Sequence, residues 1–142
     1  MLTTREFIDT WFHRVWTEQD TSAIDEMFVP DGRTEGLGED IRQGPEGFKK
    51  FHKEVCGLFD DIVITVDRIL ERDKWVSSLC TFRSKRRDTG EAVETTGSMW
   101  FRIADGKIAE VYNHWDYLGL FESMSLLPQH TLERALRGEK IA

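Results

Sequence analysis

Cysteine is scarce. Only Cys56 and Cys80 occur in the 142 residues, with no Cys-x-x-Cys pair and no histidine pair at metal-ligand spacing. That pattern excludes a disulfide-stapled scaffold and gives no sign of a zinc site, so both thiols read as reduced core residues. Proline is equally sparse, at three residues, and no Pro-rich or low-complexity linker divides the chain. No apolar run approaches the roughly 18–20 residues that a membrane span requires. The N-terminus leads into an amphipathic pattern and not into a signal-peptide core, so the expectation is a cytoplasmic protein without a membrane partner. Positive charge is not in excess either: 19 basic against 26 acidic side chains give 19 − 26 = −7. Residues 1–71 carry 8 basic and 16 acidic groups and residues 72–142 carry 11 and 10, so no basic half exists to bind nucleic acid.

What is present is enough chain for one self-sufficient core, a single domain over 1–142, and many aromatics, with five Trp and nine Phe. The aromatics point to a lined pocket, a subunit interface, or both. Phe7, Ile8, Trp11, Phe12, Val15 and Trp16 recur as adjacent pairs every four residues, which predicts a helix from about Thr3 to Glu18. Asp20 to Ser22 supply capping chemistry for a second, short helix ending before Pro30. Val29 to Gly44, with Pro30 and four Gly, reads as irregular strand and loop. Gly44-Pro45 opens a third helix whose stripe is Phe48, Phe51, His52, Val55 and Phe59.

From Asp61 the period changes to two. Strands are expected over about 62–66, 74–85, 93–103 and 107–115, joined by turn signals at Arg72-Asp73, Asp88-Thr89-Gly90 and Asp105-Gly106. Helices first and hairpins after predict an α+β class, a curved antiparallel sheet wrapped around the N-terminal helices. Leu118, Leu120, Phe121, Met124 and Leu127 suggest a short final amphipathic element, and 129–142 a loosely packed tail.

Alternation assigns faces. Val93, Thr95, Gly97, Met99 and Phe101 should face the helices, as should Val76, Ser78, Cys80 and Phe82 in the preceding strand. Trp75 and Trp100 then lie outside among Ser, Thr and charged residues, where they read as a homodimer interface. In the last strand, counting from an inward Ile108 turns Tyr112, His114 and Asp116 inward and puts Trp115 on the outer face with the other two. A buried carboxyl holds or takes a proton near neutral pH, so Asp116 is a candidate acid/base group; the competing reading is that it caps the following helix. His52 is a second candidate, against a core histidine satisfied by one hydrogen bond. Glu35 and Asp40, in the Gly-rich loop, are placed to reach a pocket mouth.

Asp105-Gly106-Lys107-Ile108-Ala109-Glu110, followed by Tyr112, Trp115-Asp116 and Leu118-Gly119-Leu120, resembles the closing segment of SnoaL-like polyketide cyclases. Phe101-Arg102-Ile103 is similar to the family's approach to that turn. Cys80-Thr81-Phe82, Tyr112 and His114 depart from its usual residues. The resemblance implies a nuclear-transport-factor-2-like cone, a cystatin-like roll with a pocket inside and a dimer through the outer sheet face. It implies cofactor-free acid/base chemistry without metal, the intramolecular aldol closure of a polyketide ester. Asp116 would then be the proton shuttle, with His114 or His52 at the carbonyl oxygen. Trp16, Phe51, Val55, Phe59, Met99, Phe101 and Tyr112, with Glu35 at the mouth, would hold a flat hydrophobic or aromatic ligand. The alternatives are a non-catalytic small-molecule-binding module and a dehydratase or isomerase on the same fold.

Overall fold

Thr3 starts the first helix by accepting the Glu6 N–H on its hydroxyl at 3.1 Å, and α1 runs over Thr4–Phe12. It continues as a π-helical turn, His13–Thr17, in which the Glu18 N–H reaches back five residues to the His13 carbonyl at 2.9 Å. The Asp20 carboxylate caps α2 (Thr21–Met27) through the Ser22 N–H and also receives Arg14 Nη2 at 2.7 Å. The third helix, α3, spans Gly44–Cys56 with Pro45 in its first turn. These assignments come from a computed structural model in which residues 2–36 and 42–142 are described; Asp40 lies outside them.

The strands are β1 (Phe28–Glu35), β2 (Arg42–Gln43), β3 (Phe59–Arg72), β4 (Trp75–Arg86), β5 (Ala92–Ala104) and β6 (Lys107–Trp115), in the order β2-β1-β6-β5-β4-β3. The β3–β6 meander is antiparallel, and Asp105 and Gly106, both with positive φ, make its last two-residue turn. The irregular segment expected after α2 instead supplies β1, which runs parallel to β6, so the curved sheet is mixed. Two short helices follow, α4 (Tyr117–Ser123) and α5 (Thr131–Leu136), and α5 buries no residue.

The sheet folds over α1 and α3. Trp11 sits between Phe28 and Phe48, with ring centroids 6.2 and 5.3 Å away, and Phe12 meets Phe101 edge-on at 6.1 Å. At the far end, Arg86 Nη1 donates to the Met124 carbonyl at 2.6 Å and ties α4 to the tip of β4.

One residue decides what β6 turns toward the helices. Arg102 pairs with Glu110, but Ile103 pairs with Ile108, so Ala109 is an extra residue in the β5–β6 ladder. A bulge of this kind shifts the alternation by one. Ile108 and Ala109 are both buried, and from there Val111, Asn113 and Trp115 face inward. Tyr112 and His114 therefore lie on the outer face, contrary to the count from Ile108, and Trp115 leaves the outer face for the inner one.

Candidate functional site

Between α3, the inner sheet face and α4 lies a partly open cavity of about 100 Å³. A single water needs roughly 10–15 Å³, so the space admits several small groups. The first helical segment contributes Trp16, and α3 contributes Phe48, Phe51 and Val55. Leu58 and Phe59 follow, and the sheet adds Ile64, Phe82, Thr95, Met99, Asn113 and Trp115. Tyr117, Leu120 and Phe121 close the side formed by α4. Trp115 fits because its partner across the ladder is Gly97: a Cβ there would come within 2.5 Å of the indole.

Besides the two indoles, three lining side chains are polar, and the fold treats them differently. Thr95 Oγ1 donates to the Asp116 carbonyl at 3.1 Å, and Asn113 Nδ2 donates to the Glu35 carbonyl at 2.8 Å. The Tyr117 hydroxyl is shielded from solvent and has no hydrogen-bond partner among the described residues. Burial pushes this phenol up to about 12, so it stays protonated through the neutral range. Its ring stacks on Phe121 at 6.3 Å.

The expected acid/base groups are dispersed. Asp116 is exposed; its Oδ1 accepts the Gly119 N–H at 2.9 Å, so it caps α4, the second of the two roles its position allowed. Gly119 permits the cap, since a Cβ there would lie 2.4 Å from Asp116 Oδ2. His52 is buried beside Trp16 but is not part of the cavity wall. Its Nε2 lies 2.6 Å from the Val15 carbonyl, which can only accept, so Nε2 carries the proton and satisfies an orphan carbonyl at the helix end. Desolvation lowers the His52 pKa despite that bond, and the ring is held neutral. Cys56 Sγ is 3.5 Å from the same nitrogen, but burial raises the thiol pKa, so the pair is no thiolate–imidazolium couple.

Trp16, Phe51, Val55, Phe59 and Met99 line the cavity; Phe101 is fully buried against Phe12 and does not. Glu35 pairs with Arg33 at 3.1 Å and offers the site only its backbone carbonyl. Tyr112 donates to Glu110 at 2.6 Å and stacks on Trp75, and Glu110 also binds Arg102; the two hydrogen bonds, Arg102's the stronger influence, lower the Glu110 pKa. His114 and Asp116 border a shallow polar depression that shares Asn113, Trp115 and Tyr117 with the cavity. Among the described residues no group of three or more His, Cys, Asp or Glu is placed to hold a metal ion, and no helix is long and apolar enough to cross a membrane.

Trp115, Asn113 and Tyr117 are among the wall residues that the sequence reading missed. A signal existed for the first two: Ala109, Val111 and Trp115 share one parity, and the adjacent apolar pair Ile108-Ala109 marks a break in alternation. For Tyr117 it was the spacing to Leu120, Phe121 and Met124 along α4.

A cone of sheet and helices with a side cavity defines the ketosteroid-isomerase-like or nuclear-transport-factor-2-like class. Residues 8–111 match the SnoaL-like domain, and the chain belongs to that family. The matched stretch ends before Asp116. A candidate SnoaL-like polyketide cyclase from Jannaschia sp. CCS1 is 19% identical, with a TM-score of 0.77 over 87% of this chain and 92% of that one. IdmH, a candidate polyketide cyclase from Streptomyces antibioticus, is 20% identical with a TM-score of 0.74 over 85% and 97%. A ketosteroid-isomerase-like protein from Catenulispora acidiphila DSM 44928, in complex with trimethylamine, is 15% identical with a TM-score of 0.76 over 89% and 96%. At such identities the likeness is one of fold. None of the curated proteins matches the sequence.

Proposed function

We propose that this chain takes an uncharged, flat and largely apolar molecule of polyketide type into the cone. The observation that carries the reading is the wall itself: aromatic and aliphatic side chains from the π-helical turn, α3, the sheet and α4, with no ionisable carboxylate or imidazole among the described residues that line it. Such a wall favours apolar surface and penalises a buried charge. The test is a titration with 2-acetylnaphthalene, followed by the fluorescence of Trp16 and Trp115, which line the cavity. Saturable quenching by the ketone, at least about tenfold weaker for the charged 2-naphthoate and lost in Val55→Trp, is the expected result. Absence of saturation, or equal affinity for the carboxylate, overturns the reading.

Cofactor-free proton transfer at the mouth is a second reading, favoured by Asp116 bordering the depression that shares Asn113, Trp115 and Tyr117 with the cavity. A carboxylate there would remove a proton alpha to a carbonyl and return it to the new alkoxide of an aldol closure. Asp116→Asn separates this role from the cap, because Asn caps as well as Asp but is not a base. Deuterium exchange at the methyl group of 2-acetylnaphthalene should be accelerated by the wild type and not by the variant. Equal rates in both remove Asp116 from the chemistry.

The same proposal includes a second copy of the chain as partner through the outer sheet face. There Trp75, Leu79 and Trp100 are 36%, 54% and 46% exposed; Trp75 stacks on Tyr112, and Trp100 pairs with Tyr112 across the ladder. Sedimentation should give a dimer that Trp100→Glu converts to a monomer; a monomeric wild type contradicts it.

A further inference from the structure

The geometry points to the Tyr117 hydroxyl as the group that orients the bound molecule, by donating a hydrogen bond to a ketone or ester oxygen of the ligand. This rests on the cavity being a binding site. Thr95 and Asn113 each commit a donor to a backbone carbonyl of the wall, at 3.1 and 2.8 Å, and so are used to build the site. Tyr117 lines the same cavity with its Oη buried and without a partner among the described residues, and its ring stacks on Phe121. An O–H without an acceptor is a cost in the empty protein that an acceptor oxygen brought by a ligand removes. The phenol is neutral in the working range, with burial holding its proton, so it keeps a donor to offer; a carboxylate or an ammonium would have to bury its charge in the apolar wall, and an uncharged carbonyl does not. The ligand is therefore an apolar ring system carrying a carbonyl that enters toward α4, and a hydrocarbon of the same shape should bind less tightly. A pure hydrocarbon leaves the hydroxyl as it was, and a carboxylate brings an acceptor together with a charge to bury.

The experiment uses the whole chain, wild type and Tyr117→Phe, with 2-acetylnaphthalene and 2-ethylnaphthalene as matched probes. The expected result is an affinity for the ketone about five- to tenfold weaker in the variant, the range of a single hydrogen bond, with the hydrocarbon changed by less than about twofold. The infrared carbonyl band of the bound ketone should lie at lower frequency in the wild type and return toward its apolar-solvent position in the variant, which a merely structural tyrosine would not cause. Thermal unfolding without ligand guards against misfolding: removing a buried, unpartnered hydroxyl should leave the melting temperature unchanged or raise it by about 2–4 °C. An unchanged ketone affinity and band, or equal losses for both probes, overturns the assignment while leaving the cavity reading intact. Failure of both probes to bind the wild type overturns both readings.

Discussion

Strands β5 and β6 lie side by side, are similarly rich in aromatic and β-branched residues, and yet differ in how faithfully alternation reports their faces. In β5 the inward set Val93, Thr95, Gly97, Met99 and Phe101 follows the two-residue period, and its outward neighbour Trp100 is exposed. In β6 the same counting fails after one residue, because Ala109 has no partner in the ladder. A chemically unremarkable alanine thereby exchanges a Tyr-His row for Val111, Asn113 and Trp115 on the inner wall. The exchange turns an expected acid/base pocket into an apolar slot. Face assignment by alternation is reliable only as far as the nearest bulge.

The most damaging way to break this comparison is to insert one alanine after Ala109. With a single bulge kept, the added residue shifts every later pair by one and would turn Trp115 out of the core and Tyr112 in. A loss of about 4 kcal/mol or more, or no cooperative folding, is expected by urea titration. Near-normal stability would mean that the bulge does not set the register.

Much of the fold was legible for physical reasons that stay local. The paired apolar positions of α1, the capping Asp20, the Gly44-Pro45 start of α3 and the Asp105-Gly106 turn each act within a few residues. The parallel pairing of β1 with β6 was not legible, because Phe28–Glu35 carries Pro30 and Gly32 and is held as a strand by its neighbour. The candidate site was half legible: Trp16, Phe51, Val55, Phe59 and Met99 came from periodicity within regular elements. Asn113, Trp115 and Tyr117 required knowledge of the bulge and of how α4 packs back.

Helix α3 sharpens the contrast, since its period is unbroken and His52 does face inward, yet burial there makes it a structural donor. His52→Ala should cost about 2–4 kcal/mol, from the cavity and the orphaned Val15 carbonyl, with partial recovery in His52→Gln. The pH dependence has a fixed sign. The folded-state pKa of His52 is below its ordinary 6.5, so the unfolded chain binds the proton first. Stability is fully present above about pH 6.5 and is lost as pH falls through that value toward the folded pKa. Melting temperature against pH should show this acid slope in the wild type and a flatter one in His52→Gln; identical slopes would contradict a neutral buried imidazole.

A smaller effect is expected on β5 itself. Gly97→Ala places a methyl within 2.5 Å of Trp115 and should cost about 1–3 kcal/mol while shifting Trp115 emission. Smallest is the cap: Asp116→Ala should lose about 1 kcal/mol in chemical denaturation, and Asp116→Asn only a few tenths. Equal losses in both variants would show that the charge of Asp116, and not its oxygen on the Gly119 N–H, matters to the fold.

The most direct test is isotope-filtered nuclear Overhauser spectroscopy of the labelled chain with 2-acetylnaphthalene bound. The account predicts contacts from the ligand to Met99, Trp115 and Tyr117 and none to Tyr112 or His114. Contacts to Tyr112 and His114 in place of Trp115 would mean that β6 keeps its simple alternation and that the pocket is the acid/base site after all.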